Sequence, residues 1–111
     1  MTKKEIIYTY LLFNAMGYEN RVKAQVLMNI SGIRDHKSFR AIIEELRLEK
    51  GKAIIGSEAG SNGGYWICDT EEEKQKTINH FKHRAGQMYK IAHILERKEG
   101  VIWMRFNQSE I

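Results

Sequence analysis

Between Arg21 and Cys68 the spacing of apolar residues changes period, and that change fixes the order of elements the chain can form. The stretches RVKAQVLMNISG and RDHKSFRAIIEELRLEKG carry apolar residues at helical spacing and are separated by a glycine turn at Ser31-Gly32. Ala53-Ile54-Ile55 and Tyr65-Trp66-Ile67-Cys68 are β-prone and too short for helices. They flank a loop rich in glycine, serine and asparagine, which reads as a hairpin. The order is therefore helix, turn, helix, hairpin.

Local signals set the boundaries. Thr2 and Glu5 have capping-box spacing and start a first helix with Ile6, Ile7, Tyr10, Leu11 and Asn14 on one face, stopped by Gly17. Asn20 caps a second helix whose apolar face is Val22, Val26, Leu27 and Ile30. Asp35 caps a third, which buries Phe39, Ile42, Ile43 and Leu46 and ends at Gly51. Thr70 and Glu73 repeat the capping box, and Glu71, Glu72 and Glu73 suit the positive end of a helix dipole. The long helix that follows is expected to reach about Arg97.

Along that helix Ile78, Phe81, Ala85, Met88, Ala92 and Leu95 alternate steps of three and four, a heptad seam broadened by Tyr89, Ile91 and Ile94. Such a seam packs on its own domain or on a second copy of the chain, and both can hold; the extra width favours a homodimer. After Gly100 the tail VIWMRF is apolar, so Trp103 and Phe106 join the seam residues as candidates for dimerisation or for docking on the core.

The expected fold class is mostly α with a small β-hairpin (α+β), in the arrangement of a winged helix-turn-helix with a long C-terminal helix. The expected divisions are residues 1–69 for that domain, 70–98 for the long amphipathic helix and 99–111 for the apolar tail. A chain of 111 residues has room for one modest core, and a net charge of +4 favours polyanionic partners. The lone cysteine, Cys68, excludes an internal disulfide and suits a reducing cytoplasm. No apolar run is long enough to cross a membrane.

In a helix-turn-helix the second helix offers its N-terminal outward residues to base edges. That set is His36, Lys37, Arg40, Ala41 and Glu44. Arg40 has the planar fork that matches two acceptors of guanine, while Lys37 and Arg34 suit phosphates and His36 and Ser38 either. The competing reading is a solvated face with Arg40 and Glu44 paired at i,i+4. Ser61 and Asn62 at the hairpin tip are small donors for a phosphate, and Lys50 and Lys52 at its base are better ones. Lys74, Lys76, Lys82, Arg84 and Lys90 form the densest basic run, which reads first as a solvated face and second as a docking surface for an acidic partner. His80 and His83 lack further ligands at metal spacing, so neither a metal nor another cofactor is expected. No nucleophile–base set, carboxylate pair or phosphate-cradling loop points to catalysis.

From Gly32 to Lys98 the chain resembles small winged-helix proteins encoded by phages and prophages of low-GC Gram-positive bacteria. The resemblance lies in SGIRDHKSFRAIIEELR, in the hairpin closing on GGYWICDTEEE, and in the long polar amphipathic helix after it. It implies binding of double-stranded DNA in phage transcription regulation or replication. The alternative it leaves open is a protein-interaction module, an inhibitor or adaptor of a host protein, working through the basic long helix and the aromatic tail.

Overall fold

A computed structural model describes the backbone of residues 1–109 and the side chains of residues 1–98. The elements in chain order are α1 (Lys3–Asn14), α2 (Ala24–Ser31), α3 (His36–Leu48), β1 (Ile55–Glu58), β2 (Gly64–Ile67) and α4 (Glu71–Ser109). The fold class is α+β, mostly helical with one two-stranded antiparallel hairpin. The chain divides into two compact units, Met1–Thr77 and Ile78–Ile111, so the first turns of α4 belong with the N-terminal unit.

Side-chain caps start three of the helices, and a glycine stops α2. Thr2 Oγ1 accepts the Glu5 N–H at 3.1 Å, and Asp35 Oδ2 accepts the Ser38 N–H at 2.8 Å. Thr70 Oγ1 does the same for Glu73 at 3.1 Å. The second arm of that box is diverted, because the Glu73 carboxylate accepts the Tyr18 N–H instead. α2 ends at Gly32, which takes the left-handed conformation (φ 73°) that closes the last turn. The Ile33 N–H then reaches back to the Met28 carbonyl at 3.0 Å, and the Ile33 side chain is buried. That closure turns the chain sharply, so only residues 32–35 separate α2 from α3.

The core is Ile7, Leu11 and Ala15 from α1, Leu27 and Met28 from α2, Phe39, Ile43 and Leu46 from α3, with Ile33, Ile55 and Ile67. The hairpin joins it in the register Ile55↔Ile67, Gly56↔Trp66, Ser57↔Tyr65 and Glu58↔Gly64. A Cβ at Gly56 would stand 2.4 Å from Trp66 Cε2, so this strand position requires glycine for the indole to lie across it. The Tyr18 ring meets that indole edge-on at 4.9 Å.

Several boundaries differ from the sequence expectation. Asn20 does not cap α2; it lies in a short 3-10 turn (Tyr18–Asn20) and donates to the Met16 carbonyl. Val22 is not helical either. It pairs with Tyr65 through two backbone bonds of 2.8 and 2.7 Å, extending the hairpin on its second edge. With α2 starting at Ala24, its buried face is Leu27, Met28 and Ser31, while Val26 and Ile30 are exposed. Asn14 is exposed, and α1 ends there instead of at Gly17. α3 ends at Leu48, before Gly51, and β1 begins two residues later than expected because Ala53 and Ile54 lie outside the ladder.

α4 continues past Arg97 and through Gly100 to Ser109, since a single helical glycine costs only about 1 kcal/mol. The side chains of Trp103 and Phe106 lie outside the described residues. Among the described residues no helix is long and apolar enough to cross a membrane.

Candidate functional site

The first two turns of α3 carry a run of exposed basic and polar groups. Phe39, Ile43 and Leu46 point into the core, which forces His36, Lys37, Ser38, Arg40, Ala41 and Glu44 outward, and all six are exposed. Arg34, in the turn before the helix, is exposed as well. Among the described residues Arg34, His36, Lys37 and Arg40 form no ion pair, and the Arg40–Glu44 pair that helical spacing allows does not form. Their donors therefore face solvent.

Asp35 is the acidic residue between Arg34 and His36, and its capping role explains its place there. Its carboxylate is committed to the Ser38 N–H, and that backbone hydrogen bond holds its pKa below the usual carboxylate range. The cap fixes where the helix starts, and so where each outward side chain emerges.

The hairpin is held beside α3 by an arginine. Arg47, on the last turn of α3, donates from Nε to the Ile55 carbonyl (3.0 Å) and from Nη2 to Ser57 Oγ (2.9 Å). A second arginine steadies the tip. Arg21 donates from Nε to the Asn62 carbonyl at 2.7 Å and from Nη1 to the Tyr18 carbonyl, with its guanidinium 4.2 Å above the Tyr18 ring. The Tyr18 hydroxyl donates to the Glu58 carboxylate at 3.0 Å, an interaction that raises the tyrosine pKa.

Neither clamp is legible in the sequence. Arg21 is 41 residues from Asn62, and the one-residue Val22–Tyr65 bridge that brings them together has no periodicity to find. The tip has no lysine or arginine of its own, yet Arg21 places a cation against it.

The remaining candidates fall on or near the same hairpin. Ser61 and Asn62 are exposed at the tip, and Lys50 is exposed after α3. Lys52 is partly engaged, with Nζ 4.5 Å from the Tyr8 ring centre and 3.9 Å from Glu49 Oε2. Glu49 is more firmly held by Lys4, whose hydrogen bond lowers the Glu49 pKa. A surface pair at that separation is weak and solvent-screened, so the Lys52 ammonium remains available to an anion.

Cys68 is half-buried with Sγ 3.4 Å from Thr77 Oγ1, and burial raises its pKa, which opposes thiolate chemistry. Among the described residues no three His, Cys, Asp or Glu side chains converge as metal ligands.

The C-terminal unit is of another kind. From Phe81 to Lys98 every described residue of α4 is exposed, the seam residues Phe81, Ala85, Met88, Ala92 and Leu95 included, while Ile78 is half-buried. Its lysines, arginines and histidines share this helix with Met88 and Leu95, which are 62% and 58% exposed.

No family model, no curated protein and no solved structure matches this chain.

Proposed function

We propose that the chain is a winged helix-turn-helix protein that binds double-stranded DNA, with α3 entering the major groove. The observation that carries this reading is the N-terminal face of α3. His36, Lys37 and Arg40 stand there exposed and without ion pairs among the described residues, on a helix anchored by its opposite face, and Arg34 stands exposed in the turn before it. Arg40 and His36 read base edges, Arg40 through its bidentate fork. Arg34, Lys37, Lys50 and Lys52 anchor phosphates, with Ser38, Ser61 and Asn62 as neutral donors at the edges of the footprint. Chemistry on a substrate has no part in this mechanism. Regulation of transcription or a role in replication, in a phage or prophage, is the setting we infer.

The test is selection from a pool of random duplex DNA at low and near-physiological salt, with sequencing of the retained fraction. A motif that survives the higher salt is the expected result. Salt-labile retention without a motif would sink the reading. With a motif in hand, Arg40→Ala should lose discrimination between sites, and Lys52→Ala should weaken all sites alike and flatten the salt dependence.

A second reading, a protein-interaction module, has one observation in its favour. An open groove of about 340 Å³ is lined by Ile6, Tyr10, Phe13 and Ile30, and Phe13 is 83% exposed. The selection experiment separates the two readings.

A further inference from the structure

We propose that α4 pairs with α4 of a second copy as an antiparallel two-stranded coiled coil, with its two-fold axis between Gly86 and Gln87. This pairing does not depend on DNA binding; the order of side-chain sizes along the seam supports it. Ile78, Phe81, Met88 and Leu95 are large, Ala85 and Ala92 small, and from Phe81 onward every seam position is exposed.

A parallel, in-register dimer would set each residue against itself. Layers of facing alanines would then alternate with layers of facing phenylalanines and methionines. The helices would be too far apart at the first kind of layer or too crowded at the second. The antiparallel register centred on Gly86–Gln87 removes that conflict. Ile78 then faces Leu95 of the second copy, Phe81 faces Ala92, and Ala85 faces Met88, each pair occurring twice by symmetry. Every layer is apolar, and large residues meet small ones where the seam has alanine. The contact runs for about 27 Å of helix.

Charge supports the same choice. Lys82 and Arg84 flank the seam and are exposed. In a parallel pair they would stand level with their own copies. In the antiparallel register Lys82 lies beside Tyr89 of the second copy and Arg84 beside Ile91. Their alkyl stems then cover the residues that broaden the stripe, and the Lys82 ammonium meets an aromatic face. The helix dipoles also oppose one another instead of adding.

The experiment uses the full chain. Mass is measured by sedimentation equilibrium on the unaltered protein. Ile78→Cys and Leu95→Cys are then introduced separately into a Cys68→Ser background, mixed and oxidised. A dimeric mass with disulfides joining position 78 to position 95 is the expected result. The two copies of position 95 would stand about 25 Å apart along the antiparallel pair, too far to cross-link. Met88→Lys should raise the dimer dissociation constant at least about tenfold. A monomeric mass at tens of micromolar would overturn the proposal, as would a dimer whose disulfide joins 95 to 95.

Discussion

Phe39 and Phe81 occupy helices with similar apolar periodicity, yet one is 1% exposed and the other 40%. α3 is short, and its stripe has cover from α1, α2 and the hairpin, which bring Ile7, Leu11, Leu27, Ile55 and Ile67 to one cluster. α4 has a longer stripe, and its described residues from Phe81 onward stay exposed. Periodicity states that a helix has an apolar face; it does not state what will cover it. In the N-terminal unit the cover is supplied by other elements of the same unit. In the C-terminal unit the size pattern of the stripe itself, alanine where a large residue would collide, is the information left to read.

Cutting the same kind of hole in both helices tests this difference most directly. Phe39→Ala should cost about 3–5 kcal/mol in urea unfolding, a large share of the stability of a domain of this size. Met88→Ala should leave the unfolding of the N-terminal unit within about 0.5 kcal/mol of the unaltered protein, because a 62%-exposed side chain leaves no sealed cavity in a monomer. Equal losses at both positions would show that the stripe on α4 is core after all.

A glycine pair sharpens the same contrast on a smaller scale. At Gly56 an added Cβ meets the Trp66 indole, whereas at Gly86 it meets nothing within 4 Å. Gly56→Ala should destabilise by about 1–3 kcal/mol as the indole is displaced. Gly86→Ala should raise helix stability by about 0.5–1 kcal/mol, visible as a higher thermal midpoint of the far-ultraviolet helix signal. If Gly56→Ala were silent, the indole would not be packed as described.

The pH dependence of stability is a weaker effect, and two carboxylates of the N-terminal unit give it opposite signs. Burial, then the hydrogen bond and charge of Asp69, raise the Glu73 pKa above its unfolded value. The stabilisation this group gives is therefore full below the ordinary carboxylate range and is lost as pH rises through the raised value. Asp35 is lowered, so its contribution is present above its unfolded pKa and disappears as pH falls through the folded one. Glu73→Gln should keep an acceptor for the Tyr18 N–H while removing the loss on the alkaline side of the carboxylate range. Urea midpoints across mildly acidic pH check it, and an unchanged profile would free Glu73 from this role.

Much of the N-terminal unit was legible because its signals are local. Thr2, Asp35 and Thr70 announce their helices by a side-chain oxygen three residues ahead of a free amide, and Gly32 announces its turn by lacking a Cβ. The outward face of α3 followed from the inward one.

What was not legible is the segment between α1 and α2. Lys23 precedes α2 without a side-chain cap, and the ladder that straightens Val22 is one residue long. Neither leaves a pattern, and the misplaced start of α2 then rotated its predicted buried face. The hairpin clamps escaped for a related reason, since Arg47 and Arg21 are ordinary surface arginines until the fold brings carbonyls to them.

Those clamps have a consequence for how the hairpin can be altered. Arg21 holds the tip by the Asn62 carbonyl, and Arg47 holds the first strand by the Ile55 carbonyl. A carbonyl is the same group whatever residue carries it. Ala59, between the two grips, can thus be exchanged or made to carry a fluorophore with the backbone contacts left in place, whereas Gly60 keeps its glycine because its φ of 100° lies in the left-handed region.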